Sequence, residues 1–427
     1  MHEDELARVV RAKMRMASES MSDGSQYWLP LAQPTYGPEE VLQAIDSMTS
    51  FKTSMWEKTR QFEDVFGETY GAEAVMVNSG SSADLLMTFA SLEASGGTLR
   101  PGDEVCVPAV TWPTHLWSVL MAGLVPILVD VDPGTLNMSV SDLKRKITER
   151  TRAIFPVHLM GNPADMDGIL EVAADTNSLV LEDCCEALGA TLHSRSVGTL
   201  GLAGSFSFFF SHHITTMEGG MILTTDSDFA ERLRLLRAHG WSRNVRNPGR
   251  LWDFDNTEIQ GLDPRYTFVE WGFNVRPTEL QAGFGLEQMK RVSSFESHRR
   301  DNYETFKTLL TQAGLDDYLS LPVSCEGAQP SWFALPLLTR DACPLERGAI
   351  TEFLDSSGVE TRPLVAGNLA RHPVKRRFPE VFVGSFPGAD VVHGRGFYLG
   401  LYPEDMSAQL ERLVELLSSF ISRQRRA

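Results

Sequence analysis

The sequence has no long hydrophobic run, no excess of positive charge and no cysteines at metal-binding spacing. No segment of its 427 residues approaches the roughly 20 apolar residues that cross a bilayer. Its charged start lacks the apolar core of a signal peptide, so we expect a cytoplasmic protein without membrane contact. A net charge of -17 is expected to repel nucleic acid. The 5 cysteines include no CxxC pair, so we expect reduced structural thiols and no metal site.

Short β-rich runs alternate with helical stretches through the first half of the chain. The runs are 75–77, 105–107, 127–131, 153–157, 179–182, 206–210 and 221–225. This alternation predicts an α/β fold with a mainly parallel sheet and helices on both faces. Beyond about residue 290, charged helical segments surround a few strands. We therefore expect a large domain over 1–290 and a smaller C-terminal α+β domain over 291–427.

A helix is expected to begin at Pro38, because proline is favoured in the first turn of a helix. Its apolar residues Val41, Ile45 and Met48 recur at helical spacing. We expect these three side chains to face the core.

The segment 75–84 is typical of a strand, a tight turn and the start of a helix. Gly80 permits a sharp turn, and Ser81 and Ser82 place hydroxyls at the helix N-terminus, where free N–H groups favour an anion. In isolation the same residues are equally consistent with an ordinary helix cap.

The apolar run 179–183 ends on two carboxylates, Glu182 and Asp183. Residues at the carboxyl ends of parallel strands reach the crevice where ligands bind. An aspartate there can keep the ring nitrogen of a pyridoxal-type cofactor protonated. The alternative is a surface aspartate that caps the next helix.

The segment 204–220 carries the most informative motif in the chain. It resembles the DegT/StrS family of sugar aminotransferases, in which a serine lies five residues before a Schiff-base lysine and Glu-Gly-Gly begins six residues after it. Ser207 and Glu218 match that spacing, and His212 then occupies the lysine position. No lysine lies between Lys146 and Lys290 to replace it. The resemblance implies a fold-type-I enzyme, similar to aspartate aminotransferase, that uses pyridoxal phosphate (PLP) or pyridoxamine phosphate (PMP).

The resemblance extends over roughly residues 30–425. Matching segments are 62–63, 78–82, 102–112, 157–161, 182–186 and 272–282. It implies that Asp183 holds the pyridine nitrogen, Trp112 stacks on the ring, and Glu186 contacts the ring hydroxyl. The phosphate would be bound by Gly80, Ser81 and Ser207.

Three further positions follow from the same resemblance. Asn274 and Arg276 match residues that reach the phosphate from a neighbouring subunit, which implies a homodimer with shared active sites. His158 matches a position near the cofactor.

One branch of the family carries histidine in place of the lysine, and it contains PMP-dependent 3-dehydratases of nucleotide-linked 4-keto-6-deoxyhexoses. The segments 360–368 and 397–403 resemble this branch as well. Its substrate contacts would fall on His213, Arg362 and Asn368. An imidazole can accept and return a proton but forms no stable imine, so His212 would act as a base beside a PMP that is held without a covalent bond. The reaction would remove the C3 hydroxyl, and glutamate would restore PMP.

Some features of the sequence depart from the family or leave choices open. No cysteine lies between His239 and Gly285, where an iron–sulfur branch would need one, so we expect no cluster. Asp84 stands where related turns carry asparagine. The stretch 247–266 could shape the sugar pocket. A PLP-dependent aminotransferase and a non-catalytic cofactor-binding regulator remain alternatives, and the sequence does not define the nucleotide, the hexose configuration or the pathway.

Overall fold

The computed structural model describes residues 3–24, 26–93, 96–247, 261–263 and 266–424. Within them the helices are α1 (Glu3–Gly24), α2 (Pro38–Thr49), α3 (Glu57–Tyr70), α4 (Gly80–Ala90), α5 (Thr114–Met121), α6 (Val140–Lys146), α7 (Met166–Thr176), α8 (Ser227–Leu236), α9 (Glu279–Met289), α10 (Val292–Gln312), α11 (Arg347–Ser356), α12 (Pro387–Arg395) and α13 (Ser407–Gln424). The strands are β1 (Glu73–Val77), β2 (Glu104–Pro108), β3 (Val125–Val129), β4 (Thr151–Ile154), β5 (Leu179–Asp183), β6 (Thr191–Leu192), β7 (Arg195–Ser196), β8 (Ala203–Ser207), β9 (Gly220–Thr224), β10 (Leu319–Ser320), β11 (Ala328–Gln329), β12 (Leu335–Thr339), β13 (Arg362–Pro363) and β14 (Gly396–Leu399). None of the helices in the described ranges is long and apolar enough to span a bilayer.

A seven-stranded sheet in the order β1-β9-β8-β5-β4-β2-β3 forms the centre of the molecule. The pairs from β8 to β3 are parallel, whereas β9 runs antiparallel to both of its neighbours, β1 and β8. Each of the seven β-rich runs read from the sequence contributes one strand, so the prediction of a mainly parallel sheet is confirmed. Because β5 is central and parallel to its neighbours, its carboxyl end lies among the loops that build the site.

Strand β8 ends earlier than the sequence suggested. The run 206–210 predicted a strand through Phe210, but the ladder ends at Ser207, opposite Gly220. Phe209 and Phe210 are exposed. The three consecutive phenylalanines therefore mark the start of a loop, and hydrophobicity alone does not reveal where pairing stops.

A second, four-stranded antiparallel sheet has the order β10-β12-β14-β13. Helices α10 and α13 pack together beside it, and Leu410, Leu413 and Leu417 of α13 are fully buried. Each such leucine contributes roughly 2 kcal/mol to stability. Leu29, from the start of the chain, is buried in the same core and bridges to Val359. The division into two domains at residue 290 stays a proposal. Leu29 lies before that boundary but packs in the core of the C-terminal part.

The predicted inward face of α2 is wrong. Pro38 does begin the helix, but its buried residues are Glu40, Ala44 and Ser47. Val41 and Ile45 are only half-buried, and Met48 is exposed. The Glu40 carboxylate forms an ion pair with Arg291 and accepts a hydrogen bond of 2.6 Å from Gln288. A charged residue can be buried when it is paired, and a hydrophobic pattern does not detect a partner 251 residues away.

Candidate active site

Asp183 ends β5 with its carboxylate almost completely buried. Its Oδ1 accepts a hydrogen bond of 2.7 Å from the backbone N–H of Cys185. Its Oδ2 lies 2.6 Å from Nε2 of His115, a residue in α5. Burial raises the pKa of a carboxyl group, but the His115 charge outweighs this effect and holds the pKa of Asp183 below its usual range.

His115 was missed by the sequence reasoning, and it is fully buried behind Asp183. Its Nδ1 lies 3.0 Å from the backbone carbonyl of Trp112, an acceptor, and Nε2 lies against the Asp183 carboxylate. Nδ1 also lies 2.8 Å from the Thr111 hydroxyl, which can donate or accept. The Trp112 carbonyl and the Asp183 carboxylate can only accept, which favours the imidazolium. Burial lowers the pKa of His115, but Asp183 and Asp84 outweigh it and raise this pKa to about 9.

Asp84 on α4 is the third member of this cluster and is also buried. The Ser205 hydroxyl donates to its Oδ1 at 2.6 Å, and its Oδ2 lies 4.0 Å from Nε2 of His115. Burial, followed by the nearby Asp183, raises the pKa of Asp84 to about 7. Asp84 thus belongs to the acid cluster and makes no described contact with the phosphate turn.

The turn before α4 forms a small cradle. Ser79 caps the helix, and its side chain accepts from the N–H of Ser82 at 3.1 Å. A side chain at Gly80 would place its Cβ 2.6 Å from Cβ of Ser207, so only glycine fits there. The Ser81 hydroxyl lies 3.0 Å from that of Thr114. The three residues expected to bind phosphate are therefore adjacent at the positive end of a helix.

His212 lies in the loop between β8 and β9. The loop is closed by hydrogen bonds from Phe208 N–H to the Gly219 carbonyl and from Thr216 N–H to the Phe208 carbonyl, both 2.9 Å. Nδ1 of His212 is buried and has no partner among the described residues. Burial, followed by the charge of Arg299, lowers the pKa of His212 to about 4. The imidazole is therefore neutral near pH 7 and can accept a proton.

The segment 331–333 packs against both adjacent histidines. The Phe333 ring lies 5.1 Å from the His212 ring. Nε2 of the buried His213 lies 2.8 Å from the Ser331 carbonyl, which makes Nε2 the donor. Arg299 donates to the carbonyls of Trp332 and Phe333 at 3.3 and 2.9 Å. This segment was not singled out from the sequence. Its contacts with both rings hold the loop that carries the two histidines.

Trp112 precedes Asp183 in the sequence, and Glu186 follows it by three residues. Glu186 Oε2 accepts a hydrogen bond of 2.8 Å from the N–H of Met160, and burial raises the pKa of Glu186 to about 7. The Trp112 side chain is 59% exposed, an unusual environment for an indole. Both residues are thus available for a ligand that lies beside Asp183.

His158 forms a closed pair with Glu182. Nδ1 of His158 accepts from the N–H of Ala164 at 3.0 Å, so Nε2 carries the proton and donates to Glu182 at 3.1 Å. Glu182 also accepts three backbone N–H groups, from Gly198, Leu200 and Gly201, at 2.7–2.9 Å. All the polar atoms of this buried pair are engaged within the protein. The expected place of His158 near a cofactor stays a prediction.

Asn274 and Arg276 lie in a polar groove of about 770 Å³ together with Trp56 and Arg243. Arg276 Nε donates to Asn274 Oδ1 at 2.9 Å. Among the described residues, neither side chain has a hydrogen bond or ion pair with the Gly80–Ser207 cradle. Val275, which lies between them, accepts a hydrogen bond of 3.0 Å from the N–H of Asn78, just before the cradle turn. The role of Asn274 and Arg276 in a partner's site stays a prediction.

Arg362 and Asn368 occupy different environments. Arg362 is exposed on β13 and pairs with Glu360 at 2.8 Å. Asn368 is buried, donates to Asp390 at 2.6 Å and accepts from Ala370 at 2.9 Å. The structure leaves Arg362 open to a ligand, whereas the Asn368 amide is engaged within the protein. Most of the stretch 247–266 lies outside the described residues.

The arrangement fits a pyridine ring that carries a phosphate group. Gly80 at the helix terminus lies against Ser207 and Cys185, and the Cys185 N–H bonds to the Asp183 carboxylate. Trp112 adds an exposed indole, and His212 adds a buried Nδ1 without a partner among the described residues. A carboxylate held ionised suits a protonated ring nitrogen, and a helix N-terminus suits phosphate. These residues define the class of a PLP- or PMP-binding enzyme of the aminotransferase fold.

Comparison with known proteins gives the family. Residues 34–418 match the model of the DegT/DnrJ/EryC1/StrS aminotransferase family, so the chain belongs to this family. It is 37% identical over 393 residues to GDP-4-keto-6-deoxy-D-mannose 3-dehydratase from Yersinia pseudotuberculosis, with coverage of 91% of this chain and 98% of the relative.

Solved structures agree with that relationship. A GDP-4-keto-6-deoxymannose 3-dehydratase with a trapped PLP–glutamate geminal diamine shares 34% identity and a TM-score of 0.83, covering 91% of this chain and 100% of the other. A sugar aminotransferase from Micromonospora echinospora shares 26% identity and a TM-score of 0.78, covering 92% and 99%. The expected aminotransferase-like fold is confirmed.

Proposed function

We propose that this chain is a PMP-dependent 3-dehydratase that removes the C3 hydroxyl of a nucleotide-linked 4-keto-6-deoxyhexose. The observation that carries the proposal is His212 at the lysine position of the motif, in a chain segment without any lysine from 147 to 289. The overall fold is common to dehydratases and aminotransferases. The residue at position 212 therefore decides between the two reactions.

The residues around Asp183 account for cofactor binding without a covalent bond. Gly80, Ser81 and Ser207 would hold the phosphate, Asp183 the ring nitrogen, and Trp112 one face of the ring. When bound, PMP supplies the amine that condenses with the sugar ketone and a ring that accepts electrons. The expected contact of Glu186 with the ring hydroxyl fits its single protein hydrogen bond.

His212 supplies the proton transfer. Because its pKa is held at about 4, the imidazole is neutral at working pH and accepts a proton from the reacting carbon. The imidazolium that results can return the proton to the departing C3 hydroxyl, which leaves as water. Phe333 fixes the plane of the ring while this occurs. A histidine cannot form the stable Schiff base by which a lysine would divert the reaction to transamination.

The relatives guide the choice of substrate and amino donor. The Yersinia relative is a dehydratase of GDP-4-keto-6-deoxy-D-mannose, and the related structure contains a glutamate adduct of PLP. We therefore propose a GDP-linked 4-keto-6-deoxyhexose as the first substrate to test and glutamate as the donor that restores PMP. The cluster-free form of the reaction fits a central segment without cysteines.

We also propose a cytoplasmic homodimer with shared active sites. Asn274 and Arg276 line a groove with exposed cationic residues, and Arg243 in that groove has no ion pair among the described residues. A phosphate group bound in a second copy of the chain would supply the missing negative charge.

The deciding experiment begins with the purified protein, PLP and excess glutamate, followed by borohydride reduction and intact-mass measurement. We expect conversion to PMP with no pyridoxyl group attached to the protein. The complex is then given GDP-4-keto-6-deoxymannose, and mass spectrometry follows loss of the C3 oxygen. A covalent reduced adduct would favour the aminotransferase, and cofactor binding without turnover of any 4-keto sugar nucleotide would favour the regulator.

A matched pair of variants assigns the base. His212→Asn should retain PMP and lose C3 deoxygenation by at least about 10²-fold, the usual contribution of a general base. Asp142→Asn removes a buried carboxylate on α6, remote in the fold from the β5 end, and should leave turnover unchanged.

A further inference from the structure

Asp84 is a buried acid that the proposed reaction does not use. It lies one turn into α4, whose first residues form the phosphate cradle, and its side chain faces β8 and α5 rather than the cradle. The Ser205 hydroxyl is its hydrogen-bond donor, at 2.6 Å. An ionised carboxylate with a single neutral donor is costly in a buried position.

The titratable groups that face Asp84 come from α5 and from the end of β5 with the residues that follow it. They are His115 on α5, Asp183 at the end of β5, and Cys185 just after it. Oxygen atoms of Asp84 and Asp183 and the Cys185 sulfur all lie within 4.8 Å of one another. No lysine or arginine among the described residues forms an ion pair with either aspartate.

The charge balance of this cluster is unequal. One imidazolium, His115, can neutralise one carboxylate, and two carboxylates at this spacing resist being ionised together. The neutral arrangement is a protonated Asp84, a protonated His115 and an ionised Asp183. A positively charged ring beside Asp183 would add one positive charge to the cluster. The ring and His115 would then carry two positive charges, and the cluster would be neutral only with both Asp183 and Asp84 ionised.

We propose, on the basis of the proposed function, that Asp84 is a positioning residue that shares a proton with His115 and Asp183 and releases it when a protonated pyridine ring binds. The proton leaves the Asp84 carboxyl for solvent, and the ring keeps its own proton. Asp84 then fixes His115 as imidazolium and, through it, fixes Asp183 as the anion that the ring requires.

The pKa of Asp84, about 7, places the change in the range where the enzyme would work. Asparagine at this position, as in related turns, cannot titrate. Proton release through position 84 is therefore expected of this chain and absent from the Asp84→Asn variant.

The test is calorimetry of PMP binding at pH 7 in two buffers with different ionisation enthalpies. Wild type should release about half a proton per site more than Asp84→Asn, because a group with pKa near 7 is about half protonated at that pH. The PMP phosphate and Glu186 titrate in both proteins, so their contribution cancels in the difference. At pH 8.5 the difference should fall towards zero, and Asp142→Asn should match wild type. Equal proton release by wild type and Asp84→Asn at pH 7 would overturn the proposal.

A second readout needs no cofactor. NMR titration of the His115 ring in the free protein should give a midpoint about one pH unit lower in Asp84→Asn, because one anionic neighbour has been removed. An unchanged midpoint would also overturn the proposal. Failure of PMP to bind either protein would contradict the proposed function instead, and the His115 midpoint would still decide whether Asp84 shares the proton.

Discussion

Two histidine–carboxylate pairs lie on consecutive residues of β5, and they differ in how their charge is compensated. Glu182, paired with His158, accepts three backbone N–H groups and the imidazole. Asp183, paired with His115, accepts one backbone N–H group. Since alternate residues of a strand face opposite sides, the two pairs lie on opposite faces of the sheet. A carboxylate saturated by the backbone supports the fold, whereas one with free lone pairs can hold a ligand.

The adjacent histidines of the β8–β9 loop repeat this contrast. Both histidines have a buried Nδ1 without a partner among the described residues. Nε2 of His213 bonds to the Ser331 carbonyl at 2.8 Å, whereas the His212 ring has no such bond within the described part of the chain. In both cases residue type and sequence position are nearly identical. The number of hydrogen bonds made within the protein separates the member that the fold engages from the member that is left open to a ligand.

The largest effect is expected from Asp183→Asn. Because asparagine cannot stabilise a protonated ring nitrogen, kcat/KM for C3 deoxygenation should fall on the order of 10³-fold. The fold should be retained, since the Cys185 N–H can still donate to the amide oxygen. Steady-state kinetics with circular dichroism measures both, and full activity in the variant would remove Asp183 from the site.

Glu182→Gln should reverse the pattern. In the variant an amide NH2 group can replace the carboxylate oxygen that accepts from the N–H groups of Leu200 and Gly201. Donors would then face donors, and the free energy of unfolding should fall by about 3 kcal/mol. Urea denaturation measures the loss, and the fraction that remains folded should turn over at nearly the wild-type rate. A variant that keeps its stability but loses kcat would contradict the assignment of the Glu182–His158 pair to fold support alone.

The His115 pair should also give a pH-dependent stability. The pKa of His115 is about 9 in the folded protein and about 6.5 when unfolded, so its stabilising effect is complete below pH 6.5 and is lost as the pH rises to 9. Over that range the free energy of unfolding of wild type should fall by up to roughly 3 kcal/mol relative to His115→Gln. Urea titrations at pH 6, 7.5 and 9 provide the comparison, and parallel curves would contradict an imidazolium.

Phe333→Leu should have the smallest effect. Loss of the ring contact removes about 1 kcal/mol of interaction energy that orients the His212 imidazole. If the activation free energy rises by the same amount, kcat falls about fivefold. The dissociation constant of PMP should not change. Phe353→Leu, in the stacked pair with Phe420 on α11 and α13, is the matched control, and an equal loss of kcat in that variant would mean that the effect is not specific to His212.

Local patterns in the sequence predicted the central sheet and singled out residues of the proposed cofactor site that the fold brings together. The β-rich runs gave all seven central strands, because buried parallel strands are continuously apolar. Motif spacing identified Gly80, Ser207 and His212, which the fold brings to one edge of the sheet. These features depend on neighbours along the chain, so a linear reading recovers them.

The features that were missed depend on distant partners. His115 could have been noticed as the ionisable residue in the apolar stretch of α5, but its pairing with Asp183 crosses 68 positions. Phe333 follows α10 in the sequence, 121 positions after His212, and its ring still lies 5.1 Å from the His212 ring. The inward face of α2 was assigned to Val41, Ile45 and Met48 because nothing nearby in the sequence shows that Arg291 neutralises Glu40. Pairing of charges and rings across the fold has no periodic signature.

The way the β8–β9 loop is closed bears on how such a protein can diversify. Its shape is set by main-chain bonds and by the register of Ser207 with Gly220, none of which involves the side chain at position 212. A change of one codon there can alter the chemistry while the scaffold remains intact. The loop therefore tolerates different side chains at position 212, and mutation there can change the reaction without a change of fold.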